Sequence, residues 1–435
     1  MPGNDKKRQE KITFDAVRQS VSTACGKISD PRRANTTYKL TDVLGSACAM
    51  FSLKEPSWLS FDERTKVETR HLKSLYQIAA VPSDTPMRAA LDPVEPAPLR
   101  QVFRTLFETL QAAGVSKEDH FWRDYVLVTV DGVEHFAARK IDCPQCSTRT
   151  LRDGATEYFH AGLGAVLVHP ACAEVLPLDC APIRTQDGAK KNDCARNAAK
   201  RLCAARQERS PDLKIMLVED ALYANAPHVR QLNEYGWKFI LNVQPDSHAS
   251  LEKQCAGRRA RGQVQEWSFR DAPGVKHYFA WTKGLCLNDS AVEVTVNYLL
   301  YEETAAQGVT TRWTWVTNLP LTKPSVESVM RAGRARWKIE NETFNTLKNQ
   351  GDHFKHNYGH GEKHLATVLA LLMLLAFTVD QMLQRCWKTF RQVRAGLRTK
   401  AKRWDSLRAL FKVRYFRTMA ALYRQMAALY DIQLC

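Results

Sequence analysis

Three acids sit where buried strands or a cationic helix would hold them: Asp131 after the run YVLVTV, Asp220 after KIMLVE, and Glu340 within RARWKIENETFNTLK. Carboxylates are hard oxygen ligands. Three that converge would hold two divalent ions about 3.5–4 Å apart, one activating a nucleophile at a phosphate and the other stabilising the leaving oxygen. Taken singly, each is also what a solvated strand end or helix surface presents. The helix says more. Arg336, Glu340, Phe344 and Lys348 recur at i, i+4 and share one side, so a cation flanks the acid on each side and could meet a phosphate. Ordinary surface ion pairs are the plainer reading of that spacing. Glu342 points roughly 200° away and is the weaker ligand candidate.

A second metal-binding pattern is Cys143-Pro-Gln-Cys146, in which one tight turn offers two thiolates to adjacent corners of a tetrahedron. His160, His169, Cys172 and Cys180 are the available partners. Cys143, Cys146 and His160 form the preferred zinc set, with the fourth ligand unassigned; a reduced pair in a surface loop is the plainer alternative. His356, His360 and His364 in HNYGHGEKH are read as a capped loop entering an apolar helix rather than as ligands.

The elements needed to position these groups can be read along the chain. Residues 1–35 are polar and charged and are expected to be a disordered tail. Residues 36–115 carry helical spacing, with a proline-rich connection, VPSDTPMRAALDPVEPAP, between two helical stretches. From Tyr125 the texture becomes strand-like, and YVLVTV is expected to end in a turn at Asp131-Gly132. Further strands are predicted at 163–169, 174–178, 213–218 and 237–243, separated by helices at 192–206, capped by Asn192 or Asp193, and 227–235. That alternation gives an α/β sheet with helices on both faces and acids at strand ends, where such sheets place their sites. The core's first part spans 120–245, with the candidate zinc knuckle at 141–182. A β-rich insertion follows at 246–320, and the core's last part covers 321–384 and includes a helix from 326 to 348.

The chain has 435 residues, 44% hydrophobic and 25% charged, which is a globular composition. Its net charge is +17. Between Arg385 and Arg424, thirteen Lys or Arg face the single acid Asp405, so +12 of that charge lies near the C-terminus. Arg391, Arg394, Arg398, Lys400, Lys402 and Arg403 are therefore the expected DNA-binding residues in a basic helical region at 385–435, since clustered cations displace counterions from phosphates. The aromatics among them, Trp387, Phe390, Trp404, Phe411, Tyr415, Phe416 and Tyr423, are read as a core face. The apolar stretch Val368–Val379 is shorter than a membrane span and is read as a buried helix. Twelve irregularly spaced cysteines and the polar start MPGNDKKRQEKITF point to a reducing, cytoplasmic and nucleoid-associated location.

In that order, VTVDG, LVEDALYANAPHV and RARWKIENETFNTLKNQG resemble the three acidic motifs of the DDE transposases of bacterial insertion sequences. The intervals are 89 and 120 residues, and the longer one contains the β-rich stretch. Two positions depart from the related signature: Gly333 stands where a Tyr is usual, and Leu347 where its Lys would be. The resemblance implies a ribonuclease H-like mixed sheet interrupted by the β-rich insertion and flanked by helical regions. It also implies two Mg2+ or Mn2+ ions on Asp131, Asp220 and Glu340. The partners would be transposon inverted-repeat ends and target DNA, bound by a homodimer, with no membrane involved, and residues 36–115 would be the first choice for contacting the DNA ends. A structure-specific nuclease on the same fold and a catalytically silent DNA-binding derivative remain as alternatives.

Overall fold

The β-branched run from Tyr125 to Val130 favours extended backbone, and Val126 to Val130 are all buried, so it lies mid-sheet within β2, Tyr125–Ala138. In this computed structural model, which describes residues 12–115, 119–184 and 194–434, β2 runs parallel to β6 (Ile215–Glu219), and β6 runs parallel to β7 (Lys238–Asn242). On its other side β2 pairs antiparallel with β4 (Thr156–Val168). The short strands β3 (Ser147–Thr150) and β5 (Leu176–Ile183) pair with different stretches of β4, and β1 (His120–Trp122) pairs with β2.

The stretch expected as an insertion extends this sheet. After α8 (Ala249–Ala260) come β8 (Gln265–Arg270), β9 (Lys276–Cys286), β10 (Thr295–Thr304) and β11 (Thr310–Thr317). β11 lies antiparallel to β7 with Val316 opposite Leu241, so one eleven-stranded mixed sheet runs in the order β3-β4-β2-β6-β7-β11-β10-β9-β8, with β1 and β5 beside that path. Helices α6 (Ala195–Arg209) and α7 (Ala226–Glu234) connect its parallel strands. The mixed sheet and its helical layers are those of the expected ribonuclease H-like class.

Several boundaries differ from the expectation. The presumed tail contains α1 (Phe14–Cys25), whose Phe14, Val17 and Cys25 are buried; its apolar residues are too few to stand out in sequence but pack on neighbouring helices. The proline-rich connection contains α4 (Asp84–Leu91), and its later prolines open α5 (Pro96–Ala112), where the missing N–H is harmless. α2 (Leu40–Ser52) and α3 (Trp58–Leu75) precede them. Asp131-Gly132 is no turn: β2 continues to Ala138 because β4 keeps pairing with it after β6 has ended. Asn192 and Asp193 lie outside the described residues.

The apolar stretch lies in α11, Leu365–Cys386, long and apolar enough to cross a membrane by length and composition, yet 78% of its most apolar window is buried inside the protein. It packs against α1, α2, α4, α5, β2 and β5. Its N-terminus is capped from afar. The Asp92 carboxylate accepts from the N–H groups of Glu362, Lys363, His364 and Leu365 at 3.0–3.2 Å. A side chain at Gly361, where φ is +71°, would strike that carboxylate, so glycine is required there. The loop expected to be capped as it enters this helix is thus capped by an acid some 270 residues away.

One buried ionic knot ties these parts together. Lys54 Nζ, just after α2, sits 2.5 Å from Asp352 and 3.1 Å from Asp380 of α11. Arg403 Nη2 approaches Asp380 at 3.6 Å from α13 (Lys400–Val413). Burial alone would raise the Asp380 carboxyl, but Lys54 and Arg403 outweigh it and hold it below its ordinary range. A depressed carboxyl contributes stability that is present above its unfolded pKa, about 3.9, and is lost as pH falls through the lower folded value. Lys54→Met, which leaves both carboxylates without that cation, should cost about 3–5 kcal/mol at pH 7. In denaturant titrations the deficit should shrink towards pH 3, as Asp380 takes up a proton; a deficit independent of pH would exclude this account.

Candidate active site

The parallel register pairs Thr129 with Val218, so Asp131 and Asp220 occupy equivalent positions two residues further along adjacent strands. Asp220 immediately follows β6 and accepts the Leu222 N–H at 2.9 Å, which opens the short helical turn Ala221–Tyr223. Its neighbour Glu219 points the other way and is fully buried against His228 Nε2 at 2.7 Å. Alternation along the strand therefore selects Asp220 as the outward acid of the pair. Burial and the charges of Glu219, Asp220 and Asp131 together hold the Tyr223 hydroxyl above its ordinary pKa, placing these acids in one electrostatic field.

The third acid arrives on a broken helix. α9 (Lys323–Arg334) gives way to a π-helical turn, Ile339–Phe344, and then to the short α10, Asn345–Asn349. A continuous helix from 326 to 348 was the sequence expectation; wide turns of this kind are rare and frequent at functional sites. Two glycines set its position. Trp315 of β11 lies so close to Gly333 that an added Cβ would meet its ring at 2.5 Å, which accounts for glycine where the related signature has Tyr. Gly164, opposite Asp131 on β4, leaves room for the Phe344 ring, which would lie 3.0 Å from an added Cβ. Phe344 therefore docks on the sheet beside Asp131 and carries Glu340 with it.

Arg336 lies between the acids. Its Nη1 is 3.0 Å from Glu340 Oε1 and 3.7 Å from Asp131 Oδ2. The guanidinium is buried and packs over the exposed Trp337 ring at 4.8 Å. Arg336 is therefore turned onto the carboxylates rather than towards a DNA phosphate, which corrects the sequence assignment. Burial, together with the adjacent Glu340 carboxylate, pushes the Asp131 carboxyl up from 3.8 to about 6. Asp131 and Glu340 share this guanidinium and Asp220 occupies the equivalent position beside the next strand, so the groups on offer are hard oxygens, the donor chemistry that suits divalent cations such as Mg2+ or Mn2+. Glu342 is exposed and outside this arrangement, whereas Lys348 is partly exposed on α10.

The remaining predicted residues divide. Cys143, Cys146 and His160 do come together, and the fourth group beside them is His360, which its local sequence places in a loop ahead of the apolar helix. His169, Cys172 and Cys180 are not in that cluster. No local spacing could have paired His360 with a cysteine 214 residues earlier.

In the basic region, Arg403 is buried over Phe390 at 4.4 Å and faces Asp380, so it belongs to the core instead of to a DNA surface. Arg391 donates to the Arg385 carbonyl, Lys400 donates to Gln350 Oε1 at 2.8 Å, and Arg394 is half-buried. Arg398 and Lys402 are exposed, as are Lys388, Lys412, Arg414, Arg417 and Arg424. The aromatics are buried as expected except Tyr415, which is exposed beneath Arg70.

Residues 181–377 match a family model described as the transposase DDE domain. The match takes in Asp220 and Glu340 and begins after Asp131. No curated protein matches the chain.

The Gly164–Phe344 contact yields a specific expectation. Gly164→Val should force the ring from its seat and destabilise the protein by about 1–3 kcal/mol, the usual cost of overpacking. Unfolding titrations within about 0.5 kcal/mol of the unaltered protein would mean that this contact does not fix the turn carrying Glu340.

Proposed function

We propose that this chain, a DDE transposase by the domain it carries over residues 181–377, cuts DNA at the ends of its element and joins them to target DNA, both at the Asp131, Asp220 and Glu340 site. The reading rests most on one observation: Glu340 reaches Asp131 through a shared guanidinium, beside the strand-equivalent Asp220. These carboxylates would hold two divalent ions, Mg2+ or Mn2+, which supply Lewis acidity at a phosphate oxygen and make water a competent nucleophile near neutral pH.

The protein's own groups would act around that chemistry. Asp131 and Asp220 are fixed by the sheet, and so present their oxygens without the reorganisation a loop would need. Arg336 holds Glu340 in its rotamer and offsets one negative charge, lessening repulsion among the three acids. Hydrolysis of one phosphodiester would free a 3′-hydroxyl; that hydroxyl would then attack a target phosphodiester, whose own 3′-oxygen leaves. Lys348, partly exposed on α10 of the same helical segment, would meet a phosphate. Two chains, one at each element end, form the expected assembly.

Asp131→Asn, Asp220→Asn and Glu340→Gln should each lower cutting of end-bearing DNA by at least about 10²-fold, with thermal unfolding still cooperative, while Glu342→Gln should cut normally. Wild-type cutting by any of the three would remove that residue from the site. Cutting without joined products would favour the nuclease alternative.

Backbone contacts should come from the exposed bases of the C-terminal helices rather than from Arg403. Replacing Lys412, Arg414, Arg417 and Arg424 together with Gln should flatten the plot of log affinity against log salt by about 0.9 for each lost phosphate contact. An unchanged slope would place the DNA elsewhere.

A further inference from the structure

We propose that Cys143, Cys146, His160 and His360 bind one structural zinc ion, which fastens the strands around Asp131 to the segment that follows Glu340. The site goes beyond the transposition chemistry, and its occupancy can be measured without any DNA.

The spacing of the four donor atoms carries the assignment. Cys143 Sγ and Cys146 Sγ are 3.8 Å apart. His160 Nε2 lies 3.5 Å and 3.4 Å from those two sulfurs, and His360 Nε2 lies 3.4 Å from Cys146 Sγ. The two Nε2 atoms are 3.1 Å apart. A tetrahedral zinc with Zn–S of about 2.3 Å and Zn–N of about 2.0–2.1 Å requires edges of about 3.8 Å between sulfurs, about 3.5–3.6 Å from sulfur to nitrogen and about 3.3 Å between nitrogens. The six donor pairs all fall within 4.8 Å, so the four atoms surround one point. A disulfide would need the sulfurs at about 2.05 Å.

Hydrogen bonding alone serves this arrangement poorly. His360 Nδ1 faces the Gly361 carbonyl oxygen at 2.7 Å, which calls for a proton on Nδ1 and leaves a bare lone pair on Nε2. That lone pair points at the Nε2 of His160 and at a sulfur. One central cation satisfies all of these donors together. Two thiolates also cancel the charge of Zn2+, giving a neutral unit suited to burial, and Cys146, His160 and His360 are all buried. The Cys143–Cys146 turn is closed by the Cys146 N–H donating to the Cys143 carbonyl at 3.0 Å. Four protein donors, mostly buried, describe a closed structural site and not a catalytic one with an open position.

The position of the cluster explains its use. Cys143 and Cys146 lie between β2 and β3, His160 is on β4 opposite Phe136 of β2, and His360 immediately precedes the Asp92-capped start of α11. The ring of Phe136 packs on His360 at 4.5 Å. Zinc would thus close a link between residues 200 positions apart, joining the strand that holds Asp131 to the chain leaving the Glu340 turn.

Elemental analysis of the purified full-length chain should find about one zinc per molecule. His360→Ala and Cys146→Ser should lose it, whereas His360→Cys, which restores a donor, and His356→Ala, outside the cluster, should keep it. Asp131→Asn should also keep it, separating this site from the catalytic one. Cobalt-loaded protein should show the visible absorption of a tetrahedral sulfur-nitrogen site, altered in His360→Cys by the added thiolate. If His360→Ala does not fold, the decision falls to His360→Cys and to zinc release from the folded chain by a thiol-titrating mercurial. Less than one zinc per several chains, full zinc in His360→Ala, or a metal-free Cys143–Cys146 disulfide would each overturn the proposal.

Discussion

Asp131 and Glu340 repel one another, yet both stand within reach of one buried guanidinium, and the catalytic body is arranged to keep them there. Arg336 reduces the repulsion, while burial first and the Glu340 carboxylate second hold the Asp131 carboxyl above its ordinary range. The parallel pairing of β2 with β6 adds Asp220 at no further conformational cost, because register alone aligns it. Glu340 needs more. A helix crossing the sheet can bring an acid to a strand only if something lets it come close, and Gly164 beneath Phe344 and Gly333 beside Trp315 are the two places where side chains are missing for that purpose.

The segment after Glu340 is held just as firmly. Lys54 reaches Asp352, Asp92 caps the start of α11, and His360 joins Cys143, Cys146 and His160. All three contacts link residues about 200 or more positions apart. The N-terminal helices therefore do more than precede the catalytic sheet: they hold the stretch between the Glu340 turn and the buried helix in place. Such long-range links order the chain at a loop-closure cost that rises only slowly with length.

The basic C-terminal region has two roles that charge counting merges. Arg403 serves a buried ionic knot, and Arg391 and Lys400 bond neighbouring protein groups, while the cations from Lys402 to Arg424 that face solvent form an exposed basic surface. The aromatic residues between them pack the helices together, so helical periodicity separates a core face from a basic face.

Period-2 and period-3.6 patterns made the strands, most helices and the buried apolar helix legible, because those patterns report which face of a local element is dry. Asp220 was legible as a strand-end residue, Glu340 as an acid on a cationic helix, and Cys143, Cys146 and His160 by their spacing, whereas Asp131, read as a strand end, lies inside a longer strand. Local pattern misplaced what depends on a neighbour. β2 outlasts its expected turn because β4 keeps pairing with it, α1 is ordered by the helices it packs on, and the Glu340 helix opens into a π turn where Phe344 meets the sheet. Arg336 and Arg403 read as DNA contacts until their partners across the fold were seen. His360 as a fourth donor and Asp92 as a cap were decided only by tertiary structure, since a ligand or a hydrogen-bond acceptor acts through space and leaves no periodic trace in the chain.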